Sequence, residues 1–385
     1  MSDAVSFIAG FLAGFIGGLL PGLHSNTIIS VLASLGLDDQ TLAVMIISLY
    51  PAHLVSSYVP SIFFGVPDAS NLVAVLPGQR MVRQGNGLLA LRTVLFSCIF
   101  AALLSAALFE VSMGVFPAVY GIIKGQIGTI LLLFTITLLL RSKNPILSAA
   151  IFILAGILGQ MTLKSTMPDP FLPLFSGMFA MAAMINYKKT TIPAQRDHGA
   201  LDSGFVMFVV IGVLLGMAAD LLPGVGSPSQ VATFATMFMR MDTPGYLATI
   251  SAISTSQSIF SLSTSASIGK SRVGATAWLE QFIDINENIL PLIILFLLSL
   301  SLSSAAVFLI RNHIAKIASI DFSGFNLILA IYLVLITFII NGAWGVAVLV
   351  LASALGVLCT RLNVERTTLM GAIIFPTLLL LFRIF

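Results

Sequence analysis

The sequence predicts an all-α polytopic membrane protein made of two inverted-topology repeats, with discontinuous or re-entrant helices and about 10–12 membrane elements. Three observations predict it. Of 385 residues, 58% are hydrophobic and only 9% charged, too few polar groups to coat a soluble globule. Apolar stretches of about 17–25 residues, the length that crosses a hydrocarbon core, recur from end to end. The third is a repeat: "GFLAGFIGGLLPGLHS" (10–25) returns as "GVLLGMAADLLPGVGS" (212–227) at a constant offset of 202, with Gly10, Leu12, Gly14, Leu19, Leu20, Pro21, Gly22 and Ser25 identical to their partners. The chain therefore divides into an N-terminal membrane repeat, 1–200, and a C-terminal inverted one, 201–385.

The repeat cores, 5–78 and 204–279, each carry Pro-Gly, a polar stretch and then a Ser/Thr-dotted run. Proline lacks an N–H and glycine tolerates a bend, so Pro21-Gly22 ends a half-helix and frees backbone groups that lipid cannot satisfy. The Gly-x3-Gly spacing of Gly10/Gly14 and Gly212/Gly216 predicts close helix packing. Conventional spans follow at 88–110, 116–140, 145–163 and 171–187, matched by 288–310, 323–340, 344–360 and 367–384. "MSDAVSFIAG" has no Lys or Arg of a signal-peptide n-region, so the first apolar run reads as part of the mature protein. Cys98 and Cys359 stand in apolar runs and indicate neither a disulfide nor a metal framework.

Loop charge sets the orientation. Basic residues gather at Arg80/Arg83/Arg92, Arg141/Lys143, Lys188/Lys189/Arg196, Arg311/Lys316 and Arg361/Arg366, and all can lie in the cytoplasm. "GQRMVRQGNG" after the first signature is basic, while "LEQFIDINEN" after the second is acidic, with Glu280, Asp284 and Glu287. Equivalent places thus face opposite sides, the mark of an inverted repeat in the cell membrane with both termini outside. The net charge of +3 is a topology signal and gives no reason to expect nucleic-acid binding.

A half-helix that starts at mid-membrane presents free amides and the positive end of its dipole, an anion site with no permanent charge. Ser25, Asn26 and Thr27 suit the capping of such a start; with Pro21, Gly22 and His24 they form the first substrate-binding candidate. Pro223, Gly224, Gly226, Ser227, Ser229 and Gln230 repeat it from the other side. His24 corresponds to Gly226, so its role is not shared between halves, and it either touches substrate or relays a proton. His53 reads as a packed or hydrogen-bonded histidine. Asp220, an intramembrane acid just before the second Pro-Gly, is a candidate for cation or proton coupling, Na+ or H+; capping a helix or pairing with a loop Arg is the competing role. In "SAISTSQSIFSLSTSAS" (251–267) hydroxyls recur on every face. They either line a polar path, with Gln257 and Ser258 as substrate contacts beside Ser263 and Thr264, or let helices pack closely. Lys270 and Arg272 beyond it, like Arg80 and Arg83 in the first half, either attract an anion or only set topology.

"GGLLPGLHSNT", "SIFFGVPDASNLVAVLPGQRMVRQGNGLLALR", "ADLLPGVGSPSQVATF" and "RTTLMGAIIFPTLL" together resemble the large membrane subunit of tripartite tricarboxylate transporters, especially its shorter archaeal-type members. That resemblance implies a secondary carrier of a di- or tricarboxylate working with a small membrane subunit and an extracytoplasmic binding protein. The family's substrate loops fall on Pro21 to Thr27 and Pro223 to Gln230. "GVPDAS" departs from the family's Asn-x-Pro-Gly-like turn. "ADLLPGVGS" is also similar to a motif of polyprenyl-phosphate translocases, so a lipid-phosphate carrier is the main alternative and an anion channel a further one. No nucleophile-and-base set, Gly-x-Ser-x-Gly elbow or Walker loop is found in the sequence, so the chain reads as no enzyme. Its expected partners are a small anion, membrane lipid, the two accessory subunits and a second copy of itself.

Overall fold

The structure is a computed structural model and describes residues 2–20, 22–66, 74–187, 192–196, 204–221, 231, 241–318 and 323–384. Helix α1 (Asp3–Leu19) stops just short of Pro21-Gly22, and the chain resumes as α2 (Ser25–Ala33). Gly22 turns between them at φ 83°, in the left-handed region that other residues avoid. Helix α3 (Asp39–Ser56) begins on Asp38, whose carboxylate accepts from the Thr41 amide at 2.9 Å, a standard N-cap. It continues through a π-helical turn, Pro60–Phe64, to Gly65. Then come α4 (Val75–Arg83), α5 (Gly87–Ala107), α6 (Phe109–Ile123), α7 (Ile127–Arg141), α8 (Pro145–Leu163) and α9 (Phe171–Ile185), the last with a π turn at Ser176–Met181. The second half holds α10 (Phe205–Asp220), α11 (Thr243–Ile268), α12 (Gly274–Leu279), α13 (Ile285–Ala318) and α14 (Ser323–Arg361). A 3-10 turn, Arg366–Met370, leads into α15 (Gly371–Leu381).

This is an all-α, multi-pass membrane body, and no strand occurs among the described residues. Among the described residues, five helical stretches are long and apolar enough to cross a membrane: Asp39–Phe64, Gly87–Ala107, Pro145–Leu163, Ile285–Ile317 and Asn326–Arg361. Their outward faces keep large aliphatic groups in the open, as at Ile122 (79% exposed), Ile146 (81%) and Ile339 (79%). So much uncovered apolar surface belongs against lipid. The span expected at 116–140 is corrected: α6 and α7 meet at 86° across residues 124–126. The spans expected at 323–340 and 344–360 are two helical stretches that meet at a kink at Gly342, with φ 66° and ψ −164°.

Two buried helices, α3 and α11, form the centre. Helix α1 lies along α3 and α10 along α11. A Cβ on Gly10 or Gly14 would run into the backbone of Met45 or Leu49, and one on Gly212 or Gly216 into Thr249 or Ser256. The two Gly-x3-Gly pairs thus let α1 approach α3, and α10 approach α11, closely. The remaining contacts are reciprocal. Helix α3 packs on α13 and α11 on α5, while α9 packs on α14 and α15 on α8. Ser299 donates to the Ser48 carbonyl at 2.5 Å and Ser303 to that of Ala52 at 3.1 Å, binding α13 to α3.

Candidate functional site

The break between α1 and α2 leaves carbonyls without helical partners, and side chains from elsewhere supply them. Ser176 of the π turn donates to the Gly22 carbonyl at 2.7 Å. His53 Nε2 donates to the Leu23 carbonyl at 2.8 Å. His53 is therefore a buried prop for unwound backbone, and it also faces the cavity described below.

Helix α2 is capped by His24, not by the residues after it. His24 Nδ1 accepts from the Asn26 amide at 3.2 Å, and the His24 carbonyl takes the Thr27 amide at 3.1 Å. With Nδ1 accepting, the neutral ring carries its proton on Nε2. The cap consumes part of the amide array expected to receive an anion. Thr27 is engaged too. Its hydroxyl donates to Asp169 Oδ2 at 2.5 Å, while Asp169 Oδ1 accepts from the amides of Phe171 (3.1 Å) and Leu172 (3.2 Å). The Asp169 amide donates in turn to Asn341 Oδ1 at 3.0 Å, beside the Gly342 break. Asp169 thereby ties α2 to the start of α9 through its carboxylate and to α14 through its amide.

The end of α10 is tied in by Arg272. Its Nε donates to the Asp220 carbonyl at 3.0 Å and its Nη2 reaches the Leu221 carbonyl at 3.5 Å, so the cation sits on the negative end of a helix. Ser261 Oγ fixes the loop by accepting from the amides of Arg272 and Val273, both at 3.0 Å. Asp220 is fully buried; Thr264 donates to its Oδ2 at 2.6 Å, and its Oδ1 has no hydrogen-bond partner among the described residues.

Between these segments lies a cavity of about 560 Å³. Its lining includes the polar His24, Ser25, Asn26, Tyr50, Asp169, Ser254, Gln257, Ser271 and Arg272 and the apolar Phe171, Phe175, Trp278, Met370 and Ile373. Gln257 Oε1 and Ser271 Oγ are buried without a hydrogen-bond partner among the described residues. Of the residues singled out in the sequence, His24, Ser25, Asn26, Gln257 and Arg272 meet here. Gly22 and Thr27 support the lining from behind. Ser258 points to Tyr50, donating at 3.4 Å. Arg80, Arg83 and Lys270 are exposed and are not among the residues lining the cavity. Pro21, Pro223, Gly224, Gly226, Ser227, Ser229 and Gln230 lie outside the described residues.

The 251–267 hydroxyls largely serve their own helix: Ser251, Ser254, Ser258 and Ser267 each donate to the carbonyl four residues back at 2.6–3.0 Å. Only Ser254 and Gln257 from this run line the cavity. Sequence reasoning missed Asp169, the aromatic lining residues and the cavity-facing side of His53. "MPDPF" (167–171) reads as a loop between spans, and its single usable signal was an acid held between two prolines.

A multi-pass helical membrane body whose interrupted helices surround a partly polar cavity has the architecture of a membrane transport protein. A family model described as the Tripartite tricarboxylate transporter TctA family matches residues 5–371, and the chain belongs to that family. It is thus a member of a transporter family for tricarboxylates or related organic anions, not of an enzyme family. The chain is also similar to an uncharacterized protein of Methanocaldococcus jannaschii, 27% identical over 380 residues and 94% of each chain. No solved structure matches it.

Proposed function

We propose that the chain is a secondary carrier that binds an organic carboxylate in this cavity and exposes it alternately to the two sides of the membrane. The carrying observation is that both halves supply polar residues to the cavity lining, with His24 and Asp169 from one and Gln257 and Arg272 from the other. Arg272 supplies the positive charge and a planar set of donors suited to a carboxylate. The His24 Nε2 proton and the start of α2 complete the anion end. Reciprocal packing of α3 on α13 and α5 on α11 supports two inverted repeats, 1–200 and 201–385, rocking about a shared site. Asp220, buried beside the Arg272 loop, is the carboxylate that would couple transport to Na+ or H+. A small membrane subunit and an extracytoplasmic binding protein complete the assembly, and both termini lie outside.

Uptake of radiolabelled succinate and citrate into proteoliposomes, under an imposed Na+ or pH gradient, tests this. Saturable, gradient-dependent uptake that Arg272→Gln removes is the expected result. Flux that neither saturates nor responds to a gradient would make the protein a channel.

A further inference from the structure

The cap on α2 has two states. His24 Nδ1 accepts from the Asn26 amide at 3.2 Å, which it can do only while it holds no proton, because an imidazolium carries N–H on both nitrogens. Protonation therefore removes the acceptor, returns the Asn26 amide to the start of a nine-residue helix and sets a positive charge beside it. Both changes favour an anion, since a helix start already presents the positive end of its dipole. His24, Ser25 and Asn26 all line the cavity, so the change occurs where a substrate carboxylate is received. A second feature marks the same cavity as built for a ligand. Gln257 is 2% exposed and lines it, and its Oε1 has no hydrogen-bond partner among the described residues.

Few described titratable groups surround the ring. Helix α1 carries only Asp3, in its first turn and so at the opposite end from the break, and α12 carries none. Helix α3 contributes Tyr50 and His53 to the cavity. The His53 ring centroid lies 6.4 Å from that of His24, with Nε2 committed to the Leu23 carbonyl; Asp38 and Asp39 stand beyond the other end of α2. Asp169, before α9, and Arg272, before α12, line the same cavity. Asp169 attracts a charge on the His24 ring and Arg272 repels it. An arriving anion adds to the attraction.

We infer that His24 is a proton-linked anion receptor: a substrate carboxylate binds with uptake of one proton from water onto His24 Nδ1, which opens the α2 cap and gives the Asn26 amide to the anion. This rests on the carboxylate-carrier reading above and adds a proton site separate from Asp220 on α10. Binding and protonation strengthen each other by the same factor. Affinity therefore rises as pH falls across the range, about 5 to 8, in which imidazoles titrate.

Calorimetric titration of citrate into the full-length protein in nanodiscs tests it, at about pH 6 and about pH 8 and in two buffers of unlike ionisation enthalpy, which counts the protons taken up on binding. His24→Asn and His24→Ser keep a good N-cap and hold no proton. Citrate's own titration enters every protein alike, so the comparison isolates the ring. The wild type takes up more protons than either variant, by up to about one, and each variant weakens citrate at least about fivefold more at the lower pH than at the higher. A merely structural loss would weaken citrate equally at both. Hydrogen exchange of the wild type needs no variant and decides alone should both variants lose citrate altogether: the segment holding Asn26 loses protection, relative to intrinsic exchange, as pH falls. Equal proton counts in wild type and variants, or protection that ignores pH, overturns the inference and leaves the carrier reading standing. Uptake that Asp220→Asn abolishes and His24→Asn keeps overturns it too and assigns the proton to Asp220. A wild type that binds neither citrate nor succinate at either pH overturns both readings.

Discussion

Arg272 carries charge and holds structure at once. Its guanidinium caps the last carbonyls of α10 while lining the cavity, a double task that needs a planar fork. A lysine keeps the charge but satisfies one direction at a time. Arg272→Lys therefore lowers carboxylate affinity about tenfold, the worth of one charge-assisted hydrogen bond, read by titration calorimetry. Gly22 illustrates a different constraint. Its φ is 83°, and a Cβ there would stand 3.0–3.2 Å from Leu333 and Ala180. Gly36 also has a left-handed φ, 67°, but open space around it. Gly36→Ala costs about 1 kcal/mol for backbone strain alone. Gly22→Ala costs more, because crowding adds to the same strain; thermal unfolding of the two purified variants compares them. Pro-Gly marked this break in the sequence, but the residue that caps α2 did not stand out. Ser25, Asn26 and Thr27 have the better capping propensity, and His24 takes the cap because the chain leaves the break with its ring over the Asn26 amide.

At the scale of the element, α11 separates two uses of a buried hydroxyl. Ser251 donates to the Leu247 and Ala248 carbonyls of its own helix, which already have helical partners. Removing it leaves nothing unpaired. Ser261 instead accepts two amides from the Arg272 loop, and its loss strands both donors. Ser251→Ala thus changes stability by no more than about 0.5 kcal/mol and leaves carboxylate binding untouched. Ser261→Ala lowers affinity several-fold through a loosened Arg272, as the same calorimetric titration would register. Periodicity is silent on this distinction, since both serines stand in one hydroxyl-rich run. Gly10, Gly14, Gly212 and Gly216 were readable in advance because small residues four apart form one smooth stripe, which α3 and α11 occupy.

Across the whole molecule, the exchange of partners between halves is the dominant feature. Helix α3 of the first half rests on α13 of the second, and α11 of the second on α5 of the first, so neither half encloses the cavity alone. An inverted arrangement requires the loops before α5 and α13 to face opposite sides. Arg83, at the end of α4 just before the first of these loops, and Asp284, in the second, are both exposed. Arg83→Cys and Asp284→Cys, made in a Cys98→Ala, Cys359→Ala background, therefore react with a membrane-impermeant maleimide from opposite sides of right-side-out vesicles. Labelling of both from one side would remove the inverted repeat and with it the rocking mechanism.

Composition and local pattern determined the membrane body, the helical class, the duplicated signature, the interruption at Pro21-Gly22 and the glycine stripes. Each follows from forces acting over a few neighbouring residues: the cost of polar backbone in lipid, the missing proline N–H, the missing glycine side chain. The bend between α6 and α7, the reach of Arg272 back to α10, and Asp169 joining α2 to α9 across 142 positions of sequence were decided only by tertiary structure. A cavity is defined by which surfaces meet, and residues far apart in the chain carry no local mark of the partner that will face them.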